Sequence, residues 1–248
     1  YSNSSSNNNY SMSFDGVDDF VSTGLSRNPN QNFSVSVYYR FDGDISDDFN
    51  AIIGGAINPP PYQGISSDFF IGKVNGGADI AIQDGNYVSN IGVNTNAFDG
   101  NWHYITYTHN SITDLGILYL DGILINSATF TGSTNSIVFG LEVDGTEAYF
   151  NGNLDDAQIW NTALNQQEIQ QYMICPPTGS ETGLVGYWNF EEGQGTTAYD
   201  QTSNGNNGTI NGATYDTSVP AQSCALTNVN GCDSTAILNL TINNAVNT

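Results

Sequence analysis

Short apolar runs that alternate with polar residues recur along most of this chain, and small polar turns separate them. Phe33–Phe41 reads FSVSVYYRF, with Phe33, Val35 and Val37 on one face. Phe69–Val74, Ala78–Gln83 and Tyr87–Val93 follow the same habit, divided by Asn-Gly-Gly and Asp-Gly-Asn. Asn101–Asn110 is a strong strand, and Gly116–Phe130 reads as a hairpin turning at Asp121-Gly122. A period of two residues places alternate side chains on opposite faces, which suits a half-buried sheet and does not suit a helix. The 27 glycines and the abundant Asn, Ser, Thr and Asp supply the turns, and a hydrophobic share of 38% in 248 residues suffices for a sizeable core. The prediction is all-β: a two-sheet antiparallel β-sandwich.

One stretch breaks the pattern. Phe150–Met173 reads as a strand followed by the single convincing helix, over residues 166–173. Asn165 is placed as an N-cap and Glu168 completes a capping box, while Leu164 and Ile169 form a hydrophobic staple. Cys175-Pro176-Pro177 ends the helix. In the preceding strand, strict alternation sets Asp155 on one face with Ala157 and Ile159. A carboxylate buried there requires hydrogen-bond donors or a cation.

Charge narrows the function. Three Lys and Arg stand against 25 Asp and Glu, a net charge of −22. No basic stripe exists to neutralise phosphates, so nucleic acid is excluded as a partner. Anionic membrane surfaces are excluded on the same ground, and no apolar run is long enough for a transmembrane helix. Some of the acids are clustered, and Ca²⁺ is held by 6–8 oxygens of carboxylates, carbonyls and water. Asp15, Asp18 and Asp19 form one acidic corner; Asp155 and Asp156 lie on the last strand. First and last strands of a sandwich commonly meet, so these five residues are the candidate ligands of a structural Ca²⁺. The loop containing Asp42, Asp44, Asp47 and Asp48 reads as solvated.

The chain opens in YSNSSSNNN with no signal peptide, which reads as a mature or trimmed product. Of three cysteines, Cys175 and Cys224 flank a coherent segment and form a natural pair. Cys224 with Cys232 is the rival, and spacing does not choose between them. Either bridge implies an oxidising, extracellular setting.

Four motifs together carry a family resemblance: SMSFDGVDDFV from Ser11, the Trp102-His103 strand, LYLDG from Leu118, and FNGNLDDAQIWNTALNQQEI from Phe150. In this order and spacing, residues 10–174 resemble the LamG-like jelly-roll family of the concanavalin A-like lectin/glucanase superfamily. The resemblance implies a β-sandwich, often with a structural Ca²⁺, that binds glycans or proteins or serves as an adhesive spacer. Residues 1–9 are expected to be a disordered tail. Gly183–Tyr215 resembles the segment that usually precedes FDGVDD in such domains, so residues 175–222 are expected to return and complete the sandwich. Residues 223–248 resemble part of a short repeat of secreted bacterial surface proteins.

Catalysis is disfavoured. Glu142, Asp144 and Glu147 have the E-x-D-x-x-E spacing of a glycoside hydrolase family in the same superfamily, in which strand alternation aims the acids into a cleft. Asp144-Gly145 reads here as a turn, which breaks that alternation. His103 and His109 have no nucleophile motif beside them. For a sugar, the candidates are aromatic platforms at Tyr62, Tyr87 and Tyr39, with Arg40 and Lys73 as cations. The expected function is a non-catalytic carbohydrate-binding or adhesion module. It is expected to be secreted or cell-surface, calcium-stabilised, part of a larger multidomain protein, and partnered by a polysaccharide or cell-surface glycan. A spacer without a ligand is the alternative, and a glycoside hydrolase ranks third.

Overall fold

A computed structural model describes residues 9–44, 49–56, 69–74, 80–84, 87–91, 96–129, 135–142 and 148–224. In chain order the elements begin with β1 (Ser11–Asp15), β2 (Phe20–Arg27), β3 (Phe33–Phe41), β4 (Phe49–Ala56), β5 (Phe69–Val74), β6 (Ile80–Asp84) and β7 (Tyr87–Ile91). They continue with β8 (Trp102–Asn110), β9 (Leu115–Leu120), β10 (Ile123–Thr129), β11 (Asn135–Phe139), β12 (Leu141–Glu142), β13 (Ala148–Tyr149) and β14 (Asn151–Trp160). Helix α1 (Gln166–Ile174) follows, then β15 (Leu184–Trp188), β16 (Thr197–Ala198), β17 (Gly208–Asn211) and β18 (Thr214–Asp216). One antiparallel sheet runs β10-β9-β8-β3-β14-β1-β18, with β15 also on β14; the other runs β16-β17-β2-β11-β4-β5-β6-β7.

Strand β14 is the hub of the first sheet. β3 pairs along one edge, from Gly152↔Phe41 to Trp160↔Ser34. The other edge is shared in series: β1 takes Asn151 to Leu154, and β15 takes Ala157 to Trp160. β1 is too short to cover a ten-residue strand, and β15 occupies the length that would otherwise be an open edge. β18 then pairs with β1, and β16 and β17 extend the second sheet from β2. Residues 184–216 therefore belong to both sheets. Close strand approach at the start of β14 requires glycine. Gly152 has φ +148°, and a Cβ there would lie 2.0 Å from the Arg40 carbonyl oxygen.

The main core fills the space between the sheets. Val35, Val37, Tyr39 and Phe41 of β3 face it, with Leu154, Ala157 and Ile159 of β14 and Trp188 of β15. A second apolar layer covers the outer face of the first sheet. It holds Tyr38, Tyr104, Trp160 and Tyr187, under Leu164 and Ile169 of the α1 region. This explains why β3 is buried at nearly every position despite its alternating sequence.

The α1 boundary follows local chemistry. Asn165 Oδ1 accepts from the backbone N–H groups of Gln167 and Glu168, and Glu168 Oε2 accepts from Asn165 N. Leu164 and Ile169 are both buried in the second layer.

The alternation expected across Asp155 does not hold. Asp155 stands opposite Tyr38 and Gln158 opposite Ser36, so two residues of β14 face one of β3. Asp156 occupies this β-bulge with φ +48°. The extra residue returns Ala157 and Ile159 to the main core beside Leu154. It leaves Asp155 on the outer face, across from Tyr38, and not on the face of Ala157 and Ile159.

Candidate functional site

The corner between β1 and β2 brings Asp15, Asp18 and Asp19 together, with one carboxylate oxygen from each within 4.8 Å of the others. The turn is self-bonded: Asp15 Oδ1 accepts from Val17 N at 2.8 Å, and Asp19 Oδ2 accepts from Asp15 N at 2.9 Å. Asp15 and Asp18 are exposed, whereas Asp19 is buried against Gly212, where a Cβ would meet Asp19 Oδ1 at 2.0 Å. Burial raises the Asp19 pKa; the Asp15 N–H opposes this, and the charges of Asp15 and Asp18 add to it. Three converging carboxylates suit a hard divalent cation by donor type, and they supply a fraction of the oxygens that Ca²⁺ takes.

Asp155 and Asp156 do not join this corner. The register sets Asp15 opposite Asn151, four residues short of Asp155 along β14. Both acids are instead buried in the outer layer. Asp155 Oδ1 accepts from Asp156 N at 2.8 Å. Asp156 Oδ1 accepts from the Tyr187 hydroxyl, and its Oδ2 from Gln222 Nε2 at 2.6 Å. Burial, then the charge of Asp156, drives the Asp155 pKa well above the carboxylate range. Burial also raises Asp156, while the bonds from Tyr187 and Gln222 oppose the rise. Asp156 is held by donors from the returning segment, and Asp155 by the backbone of Asp156. Neither Tyr187 nor Gln222 was legible as a partner, because 31 and 66 residues separate them from Asp156.

The expected sugar contacts are dispersed. Tyr39 is fully buried in the main core, its hydroxyl donating to Ala97 O at 2.7 Å, so its ring is no platform for an external ligand. Lys73 is fully buried on β5 and is likewise shielded from an external glycan. Arg40 is partly exposed but engaged: Nε and Nη2 donate to Asp42, Nη2 to Asn153 and Nη1 to Ser218, and the guanidinium lies over the Trp102 ring. Tyr62 lies outside the described residues. Tyr87 opens β7, and only its backbone is described.

Two further features bear on catalysis. His103 sits between Asp121 (2.8 Å from Nδ1) and Asp99 (3.2 Å from Nε2), and the bond to Asp121 raises its pKa. β12 pairs antiparallel with β13, with Leu141 opposite Tyr149 and Glu142 opposite Ala148. Asp144 and Glu147 of the E-x-D-x-x-E spacing lie outside the described residues.

At the far end of β14 from the acidic corner lies a cavity of about 260 Å³, and none of the expected site residues lines it.

A family model, described as the concanavalin A-like lectin/glucanases superfamily, matches residues 15–170. No curated protein sequence matches the chain. Among solved structures, a candidate carbohydrate binding protein from Bacteroides ovatus superposes with TM-score 0.64 at 17% identity, over 84% of this chain and 59% of that one. The chain therefore spans less than two thirds of that relative. The heptameric SAP-like pentraxin of Limulus polyphemus gives TM-score 0.48 at 13% identity, over 68% of this chain and 85% of its own. At 17% identity the likeness to the Bacteroides ovatus structure concerns the fold.

Proposed function

We propose that this chain, which belongs to the concanavalin A-like lectin/glucanases superfamily, is a non-catalytic carbohydrate-binding module of an extracellular protein. The observation that supports the non-catalytic part is the short antiparallel pairing of Glu142 with Ala148. In a retaining glycosidase two carboxyls stand roughly 5–5.5 Å apart, and strand alternation is the simple way to aim both into one cleft. β12 is two residues long and ends at Glu142, so it does not carry such an alternation, while the sandwich remains a scaffold for binding.

The remaining parts of the reading have separate support. The Cys175–Cys224 bridge favours an oxidising compartment. Among the described residues, no helix is long and apolar enough to cross a membrane. The Asp15, Asp18 and Asp19 corner is the proposed seat of a structural Ca²⁺ that ties β1 to β2. The proposed partner is a polysaccharide or cell-surface glycan, met as part of a larger protein.

The test is a glycan array probed with the chain, with and without EDTA, beside an assay for released reducing sugar. Binding without sugar release supports the module. Release of reducing sugar, or binding to no glycan, overturns it.

A further inference from the structure

The cavity at the end of the sandwich is formed where three distant parts of the chain meet: the end of β2 with the start of β3, the end of β14, and β15. Its floor is apolar, built from Leu25, Phe33, Ile159, Trp160 and Val185. Its rim carries the carboxamides of Asn28, Gln31, Asn32 and Asn161. Asn151 and Trp160 are the two ends of β14, so the cavity lies roughly 30 Å from the acidic corner at about 3.3 Å per residue.

The rim is preorganised. Gln31 N donates to Asn28 O at 3.0 Å, and Asn28 Oδ1 accepts from Asn30 N at 3.0 Å, so the β2–β3 connection is a closed turn. Asn32 Oδ1 accepts from both the backbone N–H and the hydroxyl of Ser111, which ties that turn to the β8–β9 connection. Asn161 N donates to Gly183 O at 2.8 Å, fixing the opposite wall to the returning segment. Trp160 is held from behind by Tyr172, with ring centroids 4.7 Å apart. Among the described residues, no intramolecular bond engages the Nδ2 groups of Asn28 and Asn32 or the side chain of Gln31. These groups remain available to a ligand.

We infer that this cavity is a binding site for a single uncharged sugar residue. The inference rests on the carbohydrate-binding reading above and locates it. Among the described residues, no Asp, Glu, Lys, Arg or His lines the cavity, so these offer no counter-ion to a charged ligand. Carboxamides both donate and accept, which matches the paired donor and acceptor character of hydroxyl groups. The apolar floor with its aromatic members suits the C–H face of a pyranose or furanose ring. A volume of about 260 Å³ falls below the roughly 300–1,000 Å³ of drug-sized pockets, so the site admits one ring and not a chain segment. The net charge of −22 further disfavours anionic glycans by repulsion.

The test uses the full chain on an array of neutral and sialylated glycans, with two variants whose folding is checked by thermal melting. Ser26→Trp places a large ring into the cavity from an exposed strand position and is expected to abolish binding. Gln31→Ala removes one exposed rim amide and is expected to weaken binding about three- to tenfold, the worth of one neutral hydrogen bond. Binding confined to glycans with uncharged terminal sugars, lost in Ser26→Trp, supports the site. Wild-type binding that survives in a folded Ser26→Trp overturns the site but leaves the carbohydrate-binding reading intact, as does binding confined to acidic glycans. If Ser26→Trp does not fold, unchanged binding by Gln31→Ala overturns the site. No binding by the wild type to any glycan overturns the broader reading and the site with it.

Discussion

The hydroxyl of Tyr187 donates a 2.5 Å hydrogen bond to Oδ1 of Asp156, joining the returning strand to the buried bulge of β14. Asp156 is nearly inaccessible, and its other carboxylate oxygen is held by Gln222. Burial, then the charge of Asp156, keeps the Tyr187 phenol protonated and donating. Tyr187→Phe leaves the ring packing in place and strips one donor from a buried carboxylate. A hydrogen bond to a charged group contributes about 1.5–3 kcal/mol, so the variant is expected to lose stability in that range in urea titration. A loss below about 0.5 kcal/mol would show that Asp156 does not depend on this bond.

Stability is expected to fall as pH rises above the acid range. The folded-state pKa values of Asp155 and Asp156 are raised by burial, so the folded chain keeps protons that the unfolded chain has released. Unfolding then releases protons, and the free energy of unfolding decreases with increasing pH from about 4 up through the folded values. Glu191 is pushed up to about 7 by partial burial and by the charges of Asp156 and Glu192, which extends the window. Glu181 acts in the opposite sense. Burial would raise it, but bonds from Thr178 and Gly179 hold it below its usual value, so its contribution is lost only in stronger acid. The melting temperature is therefore expected to peak near about pH 4 and decline towards pH 8. Asp155→Asn keeps the Oδ1 acceptor for Asp156 N and removes the charge. It is expected to raise Tm at the alkaline end and change little at the acid end. A Tm that climbs steadily up to pH 8 would contradict this account.

The Cys175–Cys224 bridge links the end of α1 to the segment that carries Gln222, across a sequence separation of 49. Closing a loop of this size restricts the unfolded chain and typically contributes roughly 2–4 kcal/mol. The bridge also keeps Gln222 near Asp156. Reduction, or the pair Cys175→Ser with Cys224→Ser, is expected to lower the urea midpoint accordingly. Amide exchange is expected to rise first in α1 and β15. Uniform loss of protection across both sheets would count against a local role for the bridge.

Calcium should raise the melting temperature if the acidic corner seats the ion. At a hundredfold excess over Kd, ligand linkage adds about 2.7 kcal/mol. Asp18 is exposed, and none of its side-chain bonds holds the turn among the described residues, so Asp18→Asn removes one ligand with little structural cost. The calcium-dependent shift is expected to vanish in Asp18→Asn while its Tm in EDTA stays close to that of the wild type. An identical shift in both proteins would place the ion elsewhere.

Much of the fold was legible because local rules decide it. The Asp121-Gly122 pair has φ +51° and +70°, the twist of a tight hairpin, and Ile123 pairs with Leu120 beside it. Asn165 and Glu168 set the start of α1 by bonds within a single turn. Val35 and Val37 declare a core face through a period of two residues. The candidate sites were less legible. Tyr39 and Lys73 read as available side chains, yet packing buries both. Tyr39 sits on the same face as Val35 and Val37, and alternation alone already assigned that face to the core.

What the sequence determined by itself was an all-β sandwich with one capped helix, because hydrophobic alternation, turn residues and capping act over a few neighbouring positions. Only the tertiary structure decided where Asp155 points, since a single extra residue in β14 reverses every side chain on one side of it. It also decided that β15 occupies the second half of an edge that β1 leaves open. The cavity between Asn28, Asn161 and Val185 exists only through that choice. Its walls come from segments more than a hundred residues apart, and pairing of β14 with β3 and β15 sets the distance between them.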